Sequence, residues 1–254
     1  WVMATISSAS AFIESTLAQI WKIRGENGEF RGGPAYYIQQ ALHSRALGVV
    51  FAISLLLCFG LGFNGLQTYN MSSSLQAYIP NYTQTAAPMA LGILLAVVFA
   101  FIIFGGTRLI SYMTSVIVPT MAGGYILLTI ILSIMNIGEL PGIFATIVTE
   151  AFDFSSVVGG FAGSMVVQGI KRGLFSNEAG MGSAPNAAAS ASVSHPVKQG
   201  LVQTFSVFID TIIICSCSAV MIMFFVNDNV DLIAWGGATG EAALTNMTLV
   251  QAAM

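Results

Sequence analysis

The chain has 254 residues, of which 56% are hydrophobic and only 7% are charged, and its formal net charge is −3. Soluble proteins carry about 25% charged residues, so this composition excludes a soluble globular domain. Several apolar runs reach the roughly 18–20 residues that span a bilayer as a helix, whereas a membrane β-barrel needs alternating segments of about ten residues. We therefore predict an all-α polytopic membrane protein with the lipid bilayer as its surroundings.

Six apolar runs follow one another along the chain and predict about six membrane-crossing helices in one membrane domain. The first run ends at Trp21, an aromatic residue of the kind enriched at membrane interfaces. Residues 142–158 precede the fifth run, and the pattern leaves open whether they form a loop helix or the outer half of a broken span. The predicted crossings are residues 1–21, 47–78, 88–104, 114–135, 158–174 and 200–226.

Both ends of the sequence fall inside apolar patterns. Trp1 opens the chain with no initiator methionine, and a new apolar run begins near Thr248. No cleavable signal peptide is visible at the start. We therefore expect the chain to be a fragment that lacks both ends.

The basic residues give the orientation of the predicted crossings. All eight Lys and Arg residues fall in loops 22–46, 105–113 and 171–199, whereas the intervening loops 136–157 and 227–247 carry acidic residues and no basic ones. Because Lys and Arg favour the cytoplasmic side, we predict that these three loops are cytoplasmic. The predicted location is a plasma membrane, of the bacterial inner-membrane kind.

Three acidic residues lie in or beside the predicted crossings. Asp210 is about ten residues into the sixth run, Glu14 lies within about two turns of Trp21, and Glu178 is in an internal loop. A charge at bilayer depth costs at least ~2.5–3.5 kcal/mol on insertion scales, so it normally faces a cavity or a partner. Two interpretations of Asp210 stay open: a hydrogen-bonding group that ties two helices together, or a group that acts in a transport cycle.

Polar side chains also mark the second half of the second run. Gln67 and Asn70 are three residues apart and share one helical face. They could hold neighbouring helices together, at roughly 0.6–2 kcal/mol per hydrogen bond. They could instead form one wall of a polar pathway, and this is the interpretation that we favour.

The sequence GGFAG at residues 159–163 is the strongest candidate for a broken helix. Each glycine weakens a helix by about 1 kcal/mol relative to alanine. Transporters use unwound backbone inside the membrane to hold substrates and coupling ions. Gly159 and Gly163 also fit the spacing of close helix packing, and the residues alone do not decide between the two.

Other chemistries find little support in the sequence. It has neither a phosphate-binding glycine loop nor a G-x-S-x-G nucleophile elbow, and its His and Cys residues lack metal-ligand spacing. We therefore predict no enzymatic activity, no cofactor or metal site and no nucleic-acid partner. A non-transporting membrane scaffold or channel subunit is the alternative to a transporter.

The stretch RGLFSNEAGMGSAP at residues 172–185 resembles the signature of the alanine/glycine:cation symporter family, also called the sodium:alanine symporters. The resemblance covers nearly the whole chain, although members of the family are roughly twice as long. One departure follows the signature, where the family tends towards Ala-His-Ala and this chain has Asn186 and three alanines. The other matching motifs are FRGGPAYYI (30–38), FNGLQTYN (63–70), GGFAG (159–163), HPVKQG (195–200) and FIDTIIIC (208–215).

The resemblance implies a secondary transporter with the inverted-repeat fold of the neurotransmitter:sodium symporters. Members carry small neutral amino acids, mainly alanine or glycine, with Na+ or sometimes H+ by alternating access. In this fold two discontinuous helices hold the substrate near the midplane. The first of them should precede Trp1, and a later helix usually completes the sodium site, so the coupling-ion site is incomplete in this chain.

The resemblance also implies roles for individual residues. GGFAG would be the break in the second discontinuous helix, with Phe161 over the substrate side chain and the backbone of Gly160, Gly163 and Ser164 at its polar groups. Gln67 matches a polar substrate contact, and Asn70 is a weaker candidate. The loop 173–185 would belong to the inner gate, and charge placement suggests a pair between Glu178 and Arg172 or Lys171. Asp210 is a gating or structural polar residue.

Overall fold

The chain folds into helices that form two compact units. Unit 1 comprises Trp1–Gly62 and Phe152–Ser216, and unit 2 comprises Phe63–Ala151 and Cys217–Met254. In the described part, the one β-sheet is a two-stranded antiparallel hairpin formed by β1 (Ile23–Arg24) and β2 (Phe30–Arg31). The computed structural model describes residues 1–25, 28–75, 78–79, 82–151, 161–229 and 252–253.

Sequence signals mark the starts of several helices of unit 1. Helices α2 (Pro34–Ala41) and α10 (Pro196–Phe208) begin at proline residues, which suit the first helical turn. Helix α3 (Arg45–Leu57) follows Ser44, whose Oγ accepts the Leu47 N–H. The helices are α1 (Val2–Ile20), α2 (Pro34–Ala41), α3 (Arg45–Leu57), α8 (Phe161–Asn177), α9 (Ser183–Ser190) and α10 (Pro196–Phe208), and π-helical segments Cys58–Phe63 and Ile209–Ile214 follow α3 and α10.

The helices of unit 2 pack through apolar side chains and a half-buried hydroxyl pair. Ile143, Val220 and Phe224 form a small core. The Tyr125 hydroxyl lies 2.7 Å from the Ser218 hydroxyl, which links two of the helices. These helices are α4 (Asn64–Ser73), α5 (Ala87–Phe104), α6 (Gly106–Met135) and α7 (Leu140–Ala151), together with α11 (Cys215–Asp228), which begins in unit 1.

Four helices in the described residues are long and apolar enough to cross a membrane. They coincide with the predicted crossings 47–78, 88–104, 114–135 and 200–226, and they support a multi-pass membrane protein. Predicted crossing 1–21 corresponds to α1, and the described end of crossing 158–174 lies in α8. The total of six crossings stays a prediction. The four helices are Arg45–Ser73, Ala87–Phe104, Gly106–Met135 and Pro196–Asn227.

Helix α6 differs from the predicted organisation around Arg108. The polar residues of 105–113 predict a connector before a crossing that starts at 114, but α6 is continuous from Gly106 to Met135 and also contains Pro119. The φ of +79° at Gly106 lets the chain turn within one residue, a conformation that only glycine adopts easily. Arg108 therefore lies in the first turn of α6.

Helix α1 is the centre of unit 1, where it packs against α8, α9 and α10. Ala4, Ala11 and Ala18 recur every seven residues along it and are buried, so one face is narrow enough for close helix contact. Helix α10 contributes Gly200 to this contact. A Cβ atom at position 200 would lie 2.9 Å from the Phe12 carbonyl oxygen and against the Thr16 hydroxyl.

Replacing Gly200 with alanine should therefore destabilise the full-length protein by about 1–3 kcal/mol, because the added methyl group overpacks a backbone contact. The apparent melting temperature in detergent measures this loss. Gly123→Ala is the matched control, since a Cβ there meets nothing within 4 Å and alanine favours a helix by about 1 kcal/mol. Equal melting temperatures of the two variants would contradict the close contact.

Candidate functional site

The signature loop, which we define as residues 178–182, connects α8 to α9 through an unusual backbone. Glu178, Gly180 and Gly182 have φ values of +50°, +86° and +85°. The left-handed region costs other residues roughly 1–2 kcal/mol, which explains the two glycines. Asn177 fixes the start of the loop, because its Oδ1 accepts the Ala179 N–H at 3.2 Å and its Nδ2 donates to Ser7 Oγ at 2.8 Å.

A polar cavity of about 250 Å³ opens beside the signature loop within unit 1. Two carboxylic acids, two carboxamides and two hydroxyl groups line most of it. Such a set of oxygen acceptors can accept hydrogen bonds from an ammonium group or surround a cation. The lining residues are Ala11, Ser176, Asn177, Glu178, Ala184, Gln203, Ser206, Val207 and Asp210.

Asp210 lies in the π-helical segment that follows α10. Its Oδ2 accepts a hydrogen bond from Ser176 Oγ at 2.6 Å, and the same hydroxyl lies 3.2 Å from Cys215 Sγ. The bond ties α8 to the π-helical segment, in agreement with the structural interpretation of Asp210. The cavity beside the carboxylate and the π-helical backbone, which is frequent at functional sites, agree with the transport interpretation.

Glu178 accepts a hydrogen bond from the Ser183 hydroxyl in the first turn of α9. This contact closes the signature loop across its two ends. Arg172 and Lys171 are exposed on α8, and the pair that we predicted between Glu178 and either of them stays a prediction.

The predicted substrate-contact residues are distributed over both units. Gln67 and Asn70 lie on α4 in unit 2, where Gln67 is exposed and Asn70 is half-buried. Gly160 lies outside the described residues. The backbone is helical from Phe161, which begins α8, through Gly163 and Ser164. Their contacts with a substrate stay predictions.

Several cavity residues have a sequence signal that our reading of the sixth run missed. Gln203, Ser206 and Asp210 are separated by three and four residues in an otherwise apolar segment. This spacing puts polar groups on one helical face. Of these three residues, the sequence analysis predicts a role for Asp210 alone, because a charge in an apolar segment is more conspicuous than an amide or a hydroxyl.

Polar groups at the end of α1 hold the end of α9. Gln19 Nε2 donates to the carbonyls of Ala188 and Ala191, and Lys22 Nζ donates to the Ala191 carbonyl at 2.8 Å. The last carbonyls of a helix need such donors. Burial lowers the pKa of Lys22, whose ammonium also lies 3.9 Å from the centre of the Phe30 ring.

Asn186, where we expect the chain to depart from the family pattern, has a defined place in unit 1. Its Nδ2 donates to the Gly182 carbonyl at 2.8 Å, and its side chain occupies the space where a Cβ of Gly33 would lie. Asn186 therefore joins the signature loop to the start of α2.

The chain is similar to known membrane transport proteins. Residues 1–254 match the model of the sodium:alanine symporter family. The chain is 52% identical over 226 residues to the amino-acid carrier protein AlsT of Bacillus subtilis, covering 89% of the chain and 47% of the relative. It is 48% identical over 225 residues to the probable sodium/glutamine symporter GlnT of the same organism, covering 88% and 46%.

An archaeal relative is also similar. The sodium/alanine symporter AgcS of Methanococcus maripaludis is 37% identical over 227 residues, covering 87% of the chain and 49% of the relative. The chain spans about half the length of the curated relatives it matches.

Proposed function

Because the chain belongs to the sodium:alanine symporter family, we propose that the complete protein couples Na+ to the uptake of a small neutral amino acid, alanine or glycine. The observation that carries this proposal is the family match over all 254 residues, joined to a polar, carboxylate-lined cavity in an apolar chain. Movement down the sodium gradient supplies the driving force, and transport proceeds by alternating access.

The complete protein has, in this proposal, the inverted-repeat fold with six crossings in the present chain. It lies in the plasma membrane, the inner membrane of a bacterium, with loops 22–46, 105–113 and 171–199 on the cytoplasmic side. The absence of basic residues from the intervening loops supports this orientation.

The substrate site of the proposal is the GGFAG segment together with Gln67 and Asn70. A zwitterion would meet the backbone of Gly160, Gly163 and Ser164, and Phe161 would limit the size of its side chain. The glycines of the sequence support this assignment, since each weakens a helix by about 1 kcal/mol relative to alanine and transporters bind carboxylates at free peptide groups. Phe161 begins α8, and the first N–H groups of a helix have no partner within it. The inner gate would include Arg172, Glu178 and Asp210.

Uptake into proteoliposomes that contain the full-length protein tests the proposed function. An inward Na+ gradient should drive accumulation of labelled alanine, and unlabelled glycine should compete. A matched proton gradient without Na+ tests H+ coupling, and labelled glutamine tests the substrate named for one relative. A protein that folds but accumulates none of these would contradict transport and favour the scaffold or channel subunit.

Phe161→Ala should admit larger amino acids, because it removes the aromatic side chain proposed to lie over the substrate. Each methylene group that a hydrophobic pocket accepts or rejects changes discrimination by about 1–3 kcal/mol, or about 10–200-fold. Competition of alanine uptake by valine and leucine measures the change. Phe144→Ala in α7 is an aromatic control outside the proposed site, and equal selectivity of the two variants would contradict the assignment of Phe161.

A further inference from the structure

Glu14 of α1 lies beside the middle of the signature loop and is not one of the residues that line the cavity. Its Oε1 accepts a hydrogen bond from Ser10 Oγ at 3.0 Å. The Gly180 N–H faces the same carboxylate. A Cβ atom on Gly180 would lie only 3.7 Å from Oε1 and 3.8 Å from Ser10 Oγ, so the loop backbone passes directly over the acid.

The backbone of the signature loop is of a kind that suits an anion. Turns that include left-handed residues direct successive N–H groups to one side and form concave anion-binding surfaces. Glu178, Gly180 and Gly182 are the left-handed residues of this loop. The two ends of the loop are held by Asn177 and by the contact between Glu178 and Ser183, whereas its middle meets the carboxylate of Glu14.

The second oxygen of Glu14 makes the acid unusual. Oε2 is buried and has no hydrogen-bond partner in the described part of the chain. A desolvated oxygen without a partner costs free energy of folding. An apolar side chain at this position would therefore pack α1 with a smaller free-energy penalty than the acid does. One neighbouring titratable group is Tyr37 on α2, and burial, followed by the charge of Glu14, raises the pKa of Tyr37 to about 12.

We propose that Glu14 is a positioning residue for transport: it holds the signature loop, and through it Asn177 and Glu178, at the cavity. The proposal rests on the proposed transport function. Glu14 acts through the loop and does not touch the substrate. Its removal should therefore lower the maximal rate of uptake and leave the apparent KM for the amino acid unchanged.

The size of the effect follows from the chemistry of the contact. Hydrogen bonds to charged groups are worth about 1.5–3 kcal/mol, which corresponds to roughly 10–100-fold. Glu14→Ala removes both oxygens, and we expect a maximal rate at least ~10-fold lower. Glu14→Gln keeps an acceptor for Gly180 and Ser10 without the charge, and we expect it to restore part of the rate.

The position of the loop can be measured without any cargo. Ala184 lies in the first turn of α9 and lines the cavity. In a full-length protein whose other cysteines are replaced by alanine, Ala184→Cys reports access to the cavity through its rate of reaction with a maleimide in detergent. Glu14→Ala should raise this rate at least ~10-fold, with Glu14→Gln in between. Glu139→Gln is the control, because Glu139 is an acid of unit 2 bonded to Asn227 at 3.4 Å.

The outcomes separate the two proposals. Absence of alanine uptake by the unsubstituted protein contradicts the proposed function, but the maleimide rates still test Glu14. Rates of Glu14→Ala equal to those of the unsubstituted protein overturn the positioning role, as does a Glu14→Gln variant that is no closer to normal than Glu14→Ala. If Glu14→Ala does not fold, Glu14→Gln decides, and normal labelling with a normal maximal rate would overturn the proposal.

Discussion

Asp210→Asn is expected to lower alanine uptake by the full-length protein about 10–100-fold while leaving the protein folded. The asparagine keeps the shape of the side chain and an acceptor for Ser176, whose hydroxyl lies 2.6 Å from the carboxylate. It removes the negative charge from the cavity. If that charge makes one hydrogen bond or ion contact during transport, worth about 1.5–3 kcal/mol, its loss accounts for the expected factor.

Ser176→Ala is the matched variant that separates the two interpretations of Asp210. It breaks the bond between α8 and the π-helical segment and leaves the charge in place. A purely structural Asp210 predicts that Ser176→Ala lowers the melting temperature and that Asp210→Asn is active. A transport role predicts instead that Asp210→Asn loses more uptake than Ser176→Ala does. Normal uptake by Asp210→Asn would contradict the transport role, and Glu178→Gln shows whether the other carboxylate of the cavity behaves alike.

The long helices can be predicted from the sequence because the apolar runs are continuous and contain few or no charged side chains. Residues 88–104 contain no charged side chain, and they form the 18-residue helix α5, Ala87–Phe104. Continuous hydrophobicity of that length has few solutions besides a membrane-spanning helix. The predicted start of the crossing at residue 114 is wrong, because threonine, arginine and serine near Arg108 are tolerated in a helix and α6 already begins at Gly106. The positive φ of Gly106 lets the chain turn between α5 and α6.

The candidate site was less predictable because it depends on contacts between distant segments. Asp210 stood out as a charge in an apolar run, but its partner Ser176 is 34 residues away. The contact between Ser7 and Asn177 joins residues 170 apart. Contacts between residues so far apart in the chain leave no periodic pattern in the sequence that could predict them. The sequence shows Glu14 as an acid in an apolar run. Its position beside Gly180 depends on the conformation of the signature loop, which the sequence pattern does not show.

Asn186 shows how an expected departure from a family pattern acquires a physical meaning. The sequence alone gave no reason to attach weight to the change from Ala-His-Ala. The structure gives its amide one donor contact, to the Gly182 carbonyl, and one close approach, to Gly33. Both partners are glycines with positive φ, so the backbone of the loop and the side chain that packs on it are adapted to one another.

Gly182→Ala should be the most damaging of these substitutions to folding, because two independent costs act at one position. Its φ of +85° disfavours any residue with a Cβ by about 1–2 kcal/mol. The Cβ would also lie 2.6 Å from the Phe51 ring and 3.1 Å from Pro34 Cγ, and overpacking of this kind costs about 1–3 kcal/mol. A total of about 2–5 kcal/mol is a large share of the 5–15 kcal/mol that keeps a typical domain folded.

A second substitution separates the two costs. Phe51→Ala removes the ring that the new methyl group would meet, so the double variant should recover the overpacking part and keep the backbone part. The double-mutant cycle therefore predicts a favourable coupling of about 1–3 kcal/mol between positions 51 and 182. Yield of monodisperse full-length protein and its apparent melting temperature are the measurements.

Gly92→Ala is the control, since a Cβ there meets nothing within 4 Å. A Gly182→Ala variant as stable as Gly92→Ala would show that the loop does not need its left-handed glycine, and the account of the signature loop as a rigid anion-facing turn would then fail.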